Sequence, residues 1–234
     1  MPKRKEILTD KIRPYHIIGK AVEGRGIFEK EEDKARFVFQ MYAANVGKPV
    51  INLYRKDIFK VAQAILQGEE IPNDYFVREH QPLVQLFSYV LAKDRYHLGM
   101  VPMQKDSIPQ YMQKLNLGFA KYYNLKYKRS GALFEGRFHA ASISSPTQLN
   151  TVVRYINIKK VRDVFENVSE NWNFLKEYSY SSFPDLFGSR ASHLLSKESR
   201  DTLKKFLGDE FFQVKQDYTE DIEDLEEGQG LFLN

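Results

Sequence analysis

Two strand-like segments, Leu83 to Leu91 and Tyr96 to Val101, are separated only by Ala92-Lys-Asp-Arg95. So short a connection joins antiparallel neighbours, and whatever else the chain does it must accommodate a hairpin here. Pro102 closes the second segment. A helix is predicted from about Ile108 to Tyr127, because Met112, Leu115, Phe119 and Tyr122 recur at helical spacing. Upstream, Tyr15-His-Ile-Ile-Gly-Lys-Ala-Val22 reads as a strand and Gly24-Arg-Gly-Ile-Phe28 as a turn. Glu29 to Asp33 then puts acids at the positive end of a helix whose buried face is Phe37, Val38, Met41 and Tyr42, with Gly47-Lys-Pro49 ending it. Downstream, Arg137 to Ser144 reads as a strand. Pro146 suits a first helical turn ahead of the stripe Leu149, Val152, Val153 and Ile156. This order predicts an α+β fold, a mainly antiparallel sheet with helices packed on one face.

Ile58, Val61, Ala62, Ile65 and Leu66 form a further helical stripe stopped at Gly68, and Glu69 to Pro82 reads as irregular, so 50–82 is expected to be a helical insertion. Residues 1–188 are expected to form the main domain. Residues 189–234 are expected to be a C-terminal extension with a short helix over Leu203 to Phe212 and an acidic tail. At 234 residues and 42% apolar, the chain suffices for one elaborated core or two small ones. No apolar run approaches the ~18 residues of a membrane span, and Met-Pro-Lys-Arg-Lys-Glu lacks the apolar stretch of a secretory signal. With no cysteine there is no thiolate metal site and no cysteine nucleophile, and a cytoplasmic location is expected.

Charge is unevenly distributed along the chain. From Gln113 to Arg162 ten Lys or Arg face one acid, Glu135, whereas from Asp209 to Glu227 nine acids face Lys215. A basic body points to a polyanionic partner, most often nucleic acid, against the alternative of a merely solvated basic face. Lys126, Lys128 and Arg129 interleave with Tyr122, Tyr123 and Tyr127, a pattern suited to tracking phosphates and stacking on unpaired bases; the alternative is a core Tyr122 beside solvated lysines. Arg137 and His139 alternate onto one strand face and extend the patch. His16, His80 and His193 have no context that singles them out.

Several segments, in order, resemble a known family. They are Tyr15-His-Ile-Ile, Gly26-Ile-Phe28 before an acidic helix, Ser88-Tyr-Val-Leu followed by Tyr96-His-Leu, Arg129-Ser-Gly-Ala-Leu-Phe-Glu-Gly-Arg-Phe138, Arg154-Tyr-Ile156, and Tyr180-Ser-Ser-Phe183. Together they resemble the single-tyrosine transposases that carry a His-hydrophobic-His motif, in particular the branch associated with repetitive extragenic palindromes. The resemblance covers about 150 residues and is most specific at 129–138, against Arg-x-Gly-x-Leu-Phe-Gln-Gly-Arg-Phe. It implies the ferredoxin-like fold of tyrosine DNA-nicking enzymes. It also implies two histidines and a third side chain holding Mg²⁺ or Mn²⁺ against a scissile phosphate, and a helix tyrosine that attacks to leave a 5′-phosphotyrosyl link to single-stranded or hairpin DNA.

On that pattern Tyr155 falls on the nucleophile and His97 on the surviving metal ligand. Arg95 replaces the first histidine and Lys159 the third ligand. Strand alternation keeps Arg95 and His97 on one face with Tyr96 on the other, but a guanidinium cannot bind a cation. At ~5 Å and an effective dielectric near 20, each replacing charge opposes a divalent ion by about 6 to 7 kcal/mol. At ~100° per residue Tyr155 and Lys159 share a flank of their helix, at the margin of the apolar stripe. The expected DNA contacts are Arg95, Lys126, Lys128, Arg129, Arg137, Arg154 and Lys159. The reading is a transposase-like protein acting on single-stranded or hairpin DNA by tyrosine attack, weakened or lost through the ligand replacements. Its alternative is a non-enzymatic, domesticated DNA-binding protein.

Overall fold

The computed structural model describes residues 13–49, 57–72, 74–165 and 173–207. In chain order the elements are β1 (Tyr15–Lys20), α1 (Glu31–Val46), β2 (Gly47–Pro49), α2 (Ile58–Gln67), β3 (Phe76–Arg78), β4 (Val84–Leu91), β5 (Arg95–Pro102) and α3 (Ser107–Lys126). There follow β6 (His139–Ser142), α4 (Pro146–Arg154), a π-helical turn (Tyr155–Lys159), α5 (Lys160–Arg162), α6 (Asn173–Glu177), α7 (Phe183–Phe187) and α8 (Lys197–Leu207). The fold is α+β. Its sheet has the order β4-β5-β1-β6 with every pairing antiparallel.

The hairpin forms as its short connection requires, with the Ala92 amide donating to the Arg95 carbonyl at 2.8 Å. A register shift between Leu86 and Ser88 interrupts the β4–β5 ladder. One sheet face packs on α1 and α3. Tyr96 projects to that side, 4.9 Å from the ring of Phe37 and 5.7 Å from that of Phe134, and its hydroxyl donates to Asn116 Oδ1 in α3 at 2.6 Å. The segment carrying Tyr155 lies against the opposite face.

The apolar stripe of α2 is buried in the same core as α1, and Gly68 ends that helix in the left-handed conformation (φ 71°). Two expectations need correction. Gly47-Lys-Pro49 does not simply stop α1: it pairs as β2 with β3, inside a stretch read as irregular. The backbones approach so closely that a Cβ on Gly47 would stand 1.8 Å from the Val77 carbonyl oxygen. The strand expected from Arg137 begins only at His139, so Arg137 lies outside the β6 ladder.

The C-terminal helix starts at Lys197 rather than Leu203, and the rest of its expected span, with the acidic tail, lies outside the described residues. Leu194, Leu195 and Leu203 join the main core, and the His193 amide donates to the Ile65 carbonyl at 2.8 Å. Among the described residues no helix is long and apolar enough to cross a membrane.

Gly19 sits opposite Tyr96 in the β1–β5 register, and the phenol ring lies directly over it: a Cβ there would be 2.2 Å from ring carbon Cζ. Because Tyr96 is enclosed by Phe37 and Phe134, the ring cannot yield cheaply. Gly19→Ala is expected to lower the unfolding free energy by about 1–3 kcal/mol in urea denaturation. An unchanged midpoint would mean that the ring swings aside.

Candidate functional site

Strand pairing builds the site before any helix reaches it. Ile18 of β1 is opposite His97 of β5, and His16 is opposite Gly99, so alternation puts both histidines on the face away from Tyr96. Their rings stack at 5.3 Å with a 22° interplanar angle, and His16 Nε2 shares a hydrogen bond with His97 Nδ1 at 3.1 Å. Both are buried. The Tyr155 ring meets this pair edge-on, 6.0 Å from His16 and 5.7 Å from His97, at 74° to each. The tyrosine and the histidine singled out by the sequence therefore do converge, and they do so beside a second histidine, His16, that no sequence context marked.

The helix that delivers Tyr155 starts as its sequence directs: Ser145 caps it by accepting from the Gln148 amide at 3.2 Å, and Pro146 occupies the first turn. At Tyr155 the ladder widens. The Lys160 amide donates to the Tyr155 carbonyl, an i→i−5 bond in place of i→i−4. Asn157 sustains the wider turn. Its Nδ2 donates to the Val153 carbonyl and to Ser88 Oγ, both at 2.8 Å, while Ser182 Oγ donates to its Oδ1 at 2.6 Å. Ser182 in turn accepts from the Tyr89 amide at 2.9 Å, so the turn is fastened to β4.

Regular spacing puts Lys159 on the Tyr155 flank. The Lys160 ammonium stands 5.0 Å from the centroid of the Tyr155 ring, and Lys159 is half-buried on the same turn. Lys160 also donates to Asp163 Oδ2 at 2.7 Å. Burial opposes its charge, yet the bonds to Asp163 and the Tyr155 phenol outweigh it and raise its pKa. Arg95, at the start of β5, makes a forked pair with Asp94 (2.9 and 3.0 Å). That hydrogen bonding raises its pKa against the cost of burial, with a smaller contribution from Tyr155.

His97 responds in the opposite sense. Burial above all, then His16, Lys160 and Arg95, holds its pKa well below 6.5, so the imidazole is neutral at pH 7. Its Nε2 is buried with no hydrogen-bond partner among the described residues.

These donors do not suit Mg²⁺ or Mn²⁺. Both are hard ions that prefer oxygen ligands, whereas here one histidine nitrogen is engaged with the other ring and the charged neighbours are a guanidinium and an ammonium. Among the described residues no group of three or more His, Asp or Glu side chains is placed to hold a metal.

The basic loop is arranged differently from the expected stacking platform. Lys126 donates to Asp33 Oδ1 at 2.7 Å and to Glu32 at 3.0 Å. The hydroxyls of Tyr122 and Tyr127 also donate to Asp33, at 2.7 and 2.5 Å. Asp33 is buried, so Lys126 is its counterion, the two phenols add hydrogen bonds, and Tyr122 belongs to the core. Arg129 donates to the Ala132 carbonyl at 3.1 Å and braces its own loop. Lys128 and Arg137 are exposed, and Arg154 is half-buried just ahead of Tyr155.

No family model and no curated protein matches the chain. Among solved structures, that of a REP-associated tyrosine transposase bound to a REP hairpin aligns with 75% of this chain and 79% of that chain, at 10% identity and a TM-score of 0.43.

The buried neutral His97 ties stability to pH. In the unfolded chain it takes up a proton near pH 6.5, whereas the folded state resists protonation until well below that value. Below about pH 6.5 the unfolded state therefore binds more protons, and unfolding free energy is expected to fall by about 1.4 kcal/mol per pH unit. Urea titrations at a series of pH values measure the slope, and His97→Gln should flatten it by that amount. An identical slope in the variant would contradict a neutral, buried His97.

Proposed function

We propose that this chain is a DNA-binding protein of the single-tyrosine transposase type, which receives a phosphodiester of single-stranded or hairpin DNA beside Tyr155. The observation that carries the reading is the convergence of Tyr155 with His97, from distant parts of the chain, next to Arg95 and Lys160. A phenol beside two imidazoles and two cations is chemically suited to phosphate and ill suited to a plain hydrocarbon core. The segments matching the family in order, and the basic stretch from Gln113 to Arg162, support the same reading.

The reaction proposed for the site is a transesterification. The Tyr155 oxygen forms a bond to phosphorus, the bond from phosphorus to the 3′ oxygen breaks, and the phenolic proton ends on that 3′ oxygen as a hydroxyl. DNA is left joined through a 5′-phosphotyrosine, with no outside reactant consumed. Nearby cations would stabilise the charge that builds on the non-bridging oxygens.

A second reading has its own observation. Arg95 stands where the family has a metal ligand, and a guanidinium cannot take up a cation, which favours a domesticated DNA-binding protein without nicking activity. Wild type and Tyr155→Phe, incubated with hairpin-forming single-stranded DNA and run on a denaturing gel, distinguish the two. The enzyme reading expects a wild-type adduct that is absent from Tyr155→Phe, with binding retained in both. Binding without adduct selects the DNA-binding module. No salt-dependent affinity for any hairpin would remove both.

A further inference from the structure

We propose that Arg95 and Lys160 take the place of the divalent ion at this site, so that the DNA phosphate is held by side-chain donors alone and its binding is independent of metal. The inference rests on the DNA-binding reading above and specifies how that site grips its ligand.

Donor inventory supports it. A guanidinium offers five N–H groups and an ammonium three. Among the described residues Arg95 places one Nε and one Nη2 hydrogen on Asp94, leaving three N–H groups for a ligand. On the same count Lys160 is engaged with Asp163 and with the Tyr155 phenol, leaving one. Asp94 and Asp163 hold the cations in position without exhausting their donors. Planar guanidinium and point-charge ammonium are complementary ways to hold a phosphate, and together they supply positive charge where a metal would otherwise have to.

The histidine pair supplies a second, independent observation. Among the described residues His97 Nε2 is buried without a partner, on a ring whose other nitrogen is bonded to His16. If His16 Nε2 donates to His97 Nδ1, the His97 ring carries its proton on Nε2, a buried donor with no acceptor among the described residues, and leaving such a group unsatisfied is costly. A phosphate oxygen is an acceptor that would relieve it. A divalent cation at the same nitrogen would instead face the positive charges of Arg95 and Lys160, which act on that ring. The widened turn Tyr155–Lys159 leads directly into Lys160, whose ammonium stands over the Tyr155 ring.

The test is fluorescence anisotropy of the full chain with a hairpin-forming single-stranded oligonucleotide, in EDTA and in Mg²⁺ at matched ionic strength. Affinities in the two buffers should agree within about twofold. Arg95→Gln/Lys160→Gln should weaken binding roughly tenfold and reduce the slope of log Kd against log salt by about one, whereas Arg95→Lys/Lys160→Arg retains the slope. Circular dichroism checks that the variants fold, and the wild-type comparison needs no variant at all. Binding that weakens tenfold or more in EDTA, or a charge-removed variant that binds as wild type with an unchanged slope, would overturn the inference. Absence of binding in both buffers would instead remove the functional reading on which it rests.

Discussion

One hydrogen bond, from the Lys160 amide to the Tyr155 carbonyl, determines how the site is assembled. It is one residue longer than a helical bond. Within this turn Asn157 donates its side-chain amide to the Val153 carbonyl and extends the connection through Ser88 and Ser182 to the backbone of β4. The turn is thus anchored to the sheet that carries both histidines. Two rigid elements fix the spacing of phenol, imidazoles and ammonium, and no long loop intervenes.

Charge is used in two distinct ways around this frame. On the α1–α3 side, Lys126 and the hydroxyls of Tyr122 and Tyr127 surround the buried carboxylate of Asp33, a structural cluster that ties the end of one long helix to the start of another. On the opposite face, Arg95 and Lys160 are each paired with one acid among the described residues and both act on Tyr155. The basic stretch of the sequence is therefore not one uniform surface. Part of it stabilises the fold, and part of it borders the candidate site.

Local patterns carried the main elements of the fold into the sequence. The hairpin follows from its short connection, α4 from Ser145-Pro146 ahead of an apolar stripe, and the end of α2 from Gly68. What local patterns do not encode is register. His16 was as visible as His97, but only the pairing of Ile18 with His97 brings the two rings together. The π turn has no spacing signature, so regular periodicity did not single out Lys160, whose ammonium stands over the Tyr155 ring. The Lys126–Asp33 pair joins residues 93 positions apart, which no window along the chain can see. Likewise β2 and β3 are three residues each and exist because Gly47 admits a close backbone approach, a tertiary event.

The site depends on a neutral His97 imidazole, stacked on His16, lying against the Tyr155 ring. Nuclear magnetic resonance measures this directly, through the nitrogen shifts of the His97 ring and through nuclear Overhauser contacts from His97 to Tyr155. With ring centroids 5.7 Å apart, cross-peaks between the two side chains are expected, together with neutral-tautomer nitrogen shifts for His97 at pH 7. A protonated His97 at pH 7, or a Tyr155 ring that shows contacts only to aliphatic side chains, would contradict it.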